Sequence, residues 1–268
     1  MFKKNKNMNK TISFYRKFYD FILSRRYNMI LKNYEVLKTG SPKLILPNHQ
    51  SHMDPQIIAV KVYKYVEFSP VSSERLFSTP IIGYFLKKLG AVKVSDFRAG
   101  NKDLNVLNHI TEKVNEALSN GKNIIIFPSG KLTNSGLEKI QNKQSAYSVV
   151  STMPDNVEVI GVRFRGLWGS MWSKAWDGTR PEFLKTFLKG FFYFFANFIF
   201  FIPKRKVTIE FENITVEAKQ HVRKGRKEFN TFLDNFYNKY GEEKPIYIKH
   251  FFYAPKLKKT LPDKISNL

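Results

Sequence analysis

The chain of 268 residues contains no cysteine. That excludes disulfides, thiolate nucleophiles and cysteine-ligated zinc or iron–sulfur centres, and it permits a reducing compartment without demonstrating one. Acid is scarce too: 22 Asp and Glu stand against 45 Lys and Arg, a formal net charge of +23. Such an excess repels itself and is kept where a partner is anionic, whether nucleic acid, an anionic lipid surface or an acidic carrier protein. Nucleic acid finds no further support, because no RNP, KH, zinc-finger or helix-turn-helix pattern is present. Long apolar runs are missing as well. The most apolar segment, residues 191–202, is 12 residues long, against the roughly 18 needed to cross a bilayer. The stretch after the basic residues 1–10 is broken by Arg16, Lys17, Asp20, Arg25 and Arg26, so no secretory signal is expected. No internal repeat or low-complexity linker divides the chain.

What is present reads as a globular α/β protein, with 43% hydrophobic residues to build a core. Residues 11–31 place Phe14, Phe18, Phe21, Ile22 and Met29 near helical spacing with basic residues around the rest of the wheel. This predicts a basic amphipathic helix that packs on the main domain, contacts a membrane surface, or does both. Strand-like runs follow at 43–46, 66–70, 91–94, 123–127, 157–163 and 206–211, with helical patterns at 55–62, 80–89, 102–119 and 216–240. The run Asn123-Ile-Ile-Ile-Phe127 is apolar without alternation, which marks a strand buried on both faces. Strands alternating with helices predict a central, mostly parallel β-sheet flanked by helices. The expected organisation is an N-terminal helical extension over 1–35 and a single α/β domain over 36–268.

Reactive groups in such folds collect in loops beyond the strand ends, and two loops qualify. The first follows the strand at 43–46 and reads Asn48-His49-Gln50-Ser51-His52-Met53-Asp54. The five-residue spacing lets the Asp54 carboxylate hold one imidazole nitrogen of His49, leaving the other to take a proton from an alcohol. Asp54 before Pro55 is also a good helix N-cap in its own right. No G-x-S-x-G elbow surrounds Ser51, so a serine nucleophile is set aside. The second loop, Phe127-Pro-Ser-Gly-Lys-Leu-Thr-Asn-Ser-Gly136, follows the most buried strand. Its Ser129, Gly130 and Lys131 suit a phosphate, or make an ordinary polar turn.

Taken together, Asn48-His49 with Asp54 and Phe127-Pro128 with Gly130 resemble the PlsC-type glycerophospholipid (1-acylglycerol-3-phosphate) acyltransferase family. The likeness covers roughly residues 40–170. It implies that His49 is the general base on an acceptor hydroxyl and Asp54 its orienting partner. It also implies that Asn48, Ser129, Gly130 and Lys131 bind substrate, Gly130 and Lys131 at the acceptor's phosphate, with no cofactor, metal or covalent acyl-enzyme. Three departures stand out: Ser129 replaces the usual Glu, Gly161 stands where Pro is common, and the second block lacks its Arg, with Lys93 and Arg98 as substitutes. Ser129-Gly-Lys-Leu-Thr and Arg165-Gly-Leu-Trp-Gly-Ser170 look most like the branch found beside acyl-ACP synthetases, which reacylates lysophospholipids. The implied partners are an acyl-ACP or acyl-CoA donor, a lysophospholipid acceptor and an anionic membrane surface, with no nucleic acid. The implied location is peripheral, on the cytoplasmic face. Residues 191–202, between Lys185, Lys189, Lys204 and Arg205, form an interfacial patch or a buried helix.

Overall fold

Strand β2 (Lys43–Pro47) is buried along its whole length, and the rest of the fold is arranged around it. The computed structural model describes residues 6–94, 104–196 and 203–248. In chain order the elements are α1 (Lys6–Arg26), β1 (Tyr27–Lys32), a 3₁₀ turn (Tyr34–Lys38), β2, α2 (Asp54–Lys61), β3 (Phe68–Ser73), α3 (Glu74–Phe77), α4 (Pro80–Lys88) and β4 (Val92–Val94). They continue with α5 (Leu104–Ser119), β5 (Asn123–Ile125), α6 (Ser145–Thr152), β6 (Glu158–Arg165), α7 (Phe183–Ala196), β7 (Arg205–Asn213), α8 (Thr215–Arg223) and α9 (Arg226–Tyr237).

The strands form one sheet in the order β1-β7-β6-β2-β5-β3-β4. Every neighbouring pair is parallel except β6 and β7, which run antiparallel. The mostly parallel sheet read from the alternation of strands and helices is therefore the one observed. Successive side chains of a strand point to opposite faces, so β2 divides its residues between two cores. Leu44 and Leu46 pack with α5, α6, α8 and α9, while Ile45 packs with Ile57 and Ile58 of α2 and with Leu23 and Tyr27 of the N-terminal segment. Gly161 of β6, where a Pro is common in related sequences, is a close-approach position. A Cβ there would stand 2.3 Å from the ring of Phe236 on α9.

Two sequence readings need correction. The helix expected over 11–31 ends at Arg26, and Tyr27–Lys32 is an edge strand paired in parallel with β7. Its aromatic spacing fits a helix, but Tyr27 turns inward as a strand residue and is buried. The helix expected over 216–240 is two helices, α8 and α9, separated at Gly225, whose φ of 106° no helix accommodates.

The packing of two helices leaves apolar surface outside. On α7, Leu184, Phe187, Leu188, Phe191, Phe192 and Phe195 are each more than half exposed, recurring three and four residues apart along one stripe. Phe14, Phe18 and Phe21 of α1 are exposed to the same degree. Of the patch read at 191–202, residues 191–196 belong to α7, and the remainder lies outside the described residues. No described helix is long and apolar enough to cross a membrane.

Candidate active site

Strands β2 and β5 are parallel neighbours at the centre of the sheet, so the loops that leave their C-terminal ends emerge side by side. The first loop begins where Pro47 ends β2. Asn48 then continues the ladder with its side chain: its Nδ2 donates to Phe164 O at 3.1 Å, and its Oδ1 accepts from Phe164 N at 2.6 Å. Both amide atoms are spent on β6, so Asn48 anchors the loop instead of facing a ligand.

His49 follows, with Nδ1 2.9 Å from Asp54 Oδ2. Asp54 is completely buried, and its charge is answered locally. Oδ2 also accepts from Ser51 N at 2.8 Å, and Oδ1 accepts from the Ser51 hydroxyl at 3.0 Å. A carboxylate only accepts, so the His49 proton sits on Nδ1 and Nε2 carries a lone pair. Nε2 makes no hydrogen bond to any described residue. The Phe127 ring lies 4.5 Å from the imidazole, centroid to centroid, and walls one side. Asp54 stands in the first turn of α2 without a side-chain capping bond; Met53 is the N-cap residue. The Ser51 hydroxyl is fully engaged, accepting from Met53 N at 3.1 Å while donating to Asp54, which leaves it no role as a nucleophile.

The second loop is a tight turn. Gly130 N donates to Phe127 O at 3.0 Å, with Gly130 at φ 61°, a conformation that favours glycine. That amide is therefore committed. Ser129 is buried, and its hydroxyl donates to Lys131 O at 2.9 Å. Lys131 Nζ reaches Gln141 Oε1 at 2.8 Å near the surface. The loop also grips the first one: Thr133 N donates to His49 O at 2.8 Å. Lys93, on β4 three strands from β2, pairs with Glu74 at 2.5 Å and does not converge on His49. Arg98 lies outside the described residues.

Several neighbours escaped the sequence reading. His52 turns from the site: its Nε2 lies 3.2 Å from Pro181 O, beside the Phe183 ring. Burial first, then the charge of Arg180, holds its pKa down at about 4, so it is neutral and does not compete with His49 as a base near neutral pH. Lys174 donates to Asn134 Oδ1 at 2.6 Å. Its pKa is lowered by burial and then by the charges of Lys131 and Arg180, which places these three cations around one region. Arg180 makes no hydrogen bond or ion pair with a described residue. Glu138 is buried and accepts from His49 N at 3.1 Å. In the sequence His52 and Glu138 lie in or beside the two loops, whereas Lys174 and Arg180 lie some 40 residues beyond the second and carry no signal there.

This arrangement leaves the Nε2 lone pair of His49 open near a group of cations. In fold, the chain is similar to a crystal structure of the 1-acyl-sn-glycerophosphate acyltransferase PlsC from Thermotoga maritima. The TM-score is 0.55 at 18% identity, over 89% of this chain and 81% of that one. Among curated proteins, none matches the chain in sequence. The family model for Acyltransferase matches residues 28–165, just over half of the chain and both loops; the protein belongs to the Acyltransferase family.

Proposed function

We propose that this acyltransferase moves a fatty acyl chain from acyl-ACP or acyl-CoA to the free hydroxyl of a lysophospholipid, with 1-acyl-sn-glycerol-3-phosphate as the acceptor. The observation that carries the reading is the unpartnered Nε2 of His49, oriented through Nδ1 by a fully buried carboxylate. Nε2 takes the hydroxyl proton as the acceptor oxygen attacks the thioester carbonyl. A C–O bond forms, the C–S bond breaks, and the proton passes from His49 to the departing thiolate. Asp54 stabilises the imidazolium that forms between these steps.

Lys131, Lys174 and Arg180 supply the charge for the acceptor's phosphate. Their mutual repulsion in the empty site is relieved when an anion binds among them. The exposed rings of α7 and α1, in a chain of net charge +23, suit an anionic bilayer in which the acceptor is already dissolved. This would place the protein peripherally on the cytoplasmic face of the membrane. The stripe on α7 starts beside the site, since the Phe183 ring contacts both His52 and Trp172.

The test is to offer purified protein acyl-ACP and acyl-CoA separately, with a panel of lysolipids read by mass spectrometry. Acylated lipid is the expected product, with acceptors lacking a phosphate used at least about tenfold less efficiently, the worth of one or two charge-assisted bonds. Free fatty acid as the sole product would make the protein a hydrolase. Binding to RNA in place of vesicles, with no transfer, would remove the lipid reading altogether.

A further inference from the structure

Glu138 is a buried acid with no part in the steps above. One of its oxygens, Oε2, accepts from the backbone N–H of His49; the other, Oε1, is buried and has no hydrogen-bond partner among the described residues. The Ser129 hydroxyl lies against the same carboxylate, and burial raises the pKa of Glu138. Its backbone is held independently, because Glu138 N donates to Asn238 Oδ1 at 2.9 Å and Glu138 O accepts from Asn238 Nδ2 at 2.8 Å. A buried acid with an unmatched oxygen is costly. In a loop otherwise furnished with small polar groups, that cost calls for a reason.

Placed together, these contacts surround His49. Its N–H goes to Glu138 and its C=O to Thr133 N, both in the second loop, while its ring goes to Asp54. We infer that Glu138 is a positioning residue for the general base. It sets the backbone from which the imidazole projects. The inference rests on the acyl-transfer reading. The physical argument is geometric: reacting groups must be aligned closely, and a displacement of about 1 Å can cost about a hundredfold in rate.

The test compares Glu138→Ala with Glu138→Gln. The Asn238 bonds run to the backbone of residue 138, so both variants keep the loop anchored. Gln retains an oxygen for the His49 N–H. Glu138→Ala is expected to lower kcat about 10- to 100-fold with the acceptor KM within about threefold, and Glu138→Gln to restore kcat to within about threefold of wild type. In parallel, amide hydrogen exchange at His49, read by NMR, is expected to quicken at least about tenfold in Glu138→Ala and to stay near wild type in Glu138→Gln. Wild-type kcat in Glu138→Ala would overturn the inference, as would a rise in KM alone, which would make Glu138 a substrate-binding group. A wild-type protein inactive on every donor and acceptor would instead overturn the proposed reaction. The exchange measurement would then decide the contact by itself, and unchanged exchange in Glu138→Ala would refute it.

Discussion

The loop at 48–54 and helix α7 meet at Phe183, and they follow opposite rules. In the loop, polar side chains point inward and nearly every polar atom has a partner: Asn48 on β6, Gln50 on Glu243 and Leu167, Ser51 on Asp54. Among the described residues, His49 Nε2 has none. On α7, apolar side chains point outward in a continuous stripe. A polar loop whose side chains are held by their neighbours is suited to chemistry, and an exposed aromatic stripe to contact with another apolar phase. The contrast teaches that the two tasks are assigned to separate elements, so each should be removable without the other.

The largest effect is expected from His49→Ala, which should lower acyl transfer at least about a thousandfold, as loss of a general base does. Sedimentation with anionic vesicles and the melting temperature should stay as in wild type. Transfer surviving this change would end the assignment of His49. The converse variant, Phe187→Ser with Phe191→Ser, should weaken vesicle binding about tenfold, the equivalent of two half-exposed rings. Turnover of a water-soluble short-chain substrate should be unchanged. If vesicle binding is retained, α7 is not the contact face.

A smaller effect concerns the other histidine of the loop. The pKa of His52 is lowered from 6.5 to about 4, with burial as the first cause. Below 6.5 the unfolded chain takes up a proton there that the folded protein refuses. Its contribution to stability is therefore fully present above that value and declines as pH falls toward about 4. His52→Gln keeps a donor for Pro181 O and should flatten the acid side of a melting-temperature profile between these limits. A profile identical to wild type would show that His52 binds its proton equally in the folded and unfolded states.

The parts of the molecule that could be read from the chain are those whose signal is local. β2 and β5 announce themselves as short apolar runs, and the Asn48–Asp54 motif sits directly behind the first of them. Strand direction is not local: nothing in Arg205–Asn213 says that it lies antiparallel to β6. The same holds for polar side chains. The resemblance puts Asn48 at the substrate, but only the fold shows that its side-chain amide is tied to the Phe164 backbone of β6. Lys93 was placed by its position in the chain, and an edge strand carried it away. Glu138 was one acid among 22, and only the folded loop brings it to the His49 backbone. Exposure is the last thing lost. Of residues 191–202, read as an interfacial patch or a buried helix, 191–196 lie on α7, where Phe191, Phe192 and Phe195 stand exposed, which composition alone does not decide.

The one antiparallel pairing in the sheet has a consequence for how the chain is threaded. Because β7 reverses direction and β1 runs alongside it, both strands begin at the rim where β2 and β5 end. The segments just before them, α1 and α7, are thereby delivered to that rim. Neither helix lies in the chain between β2 and β5, whose loops form the candidate site. Their length and their exposed faces can therefore change without inserting residues between β2 and β5, making the border of the site the part of this fold most open to variation.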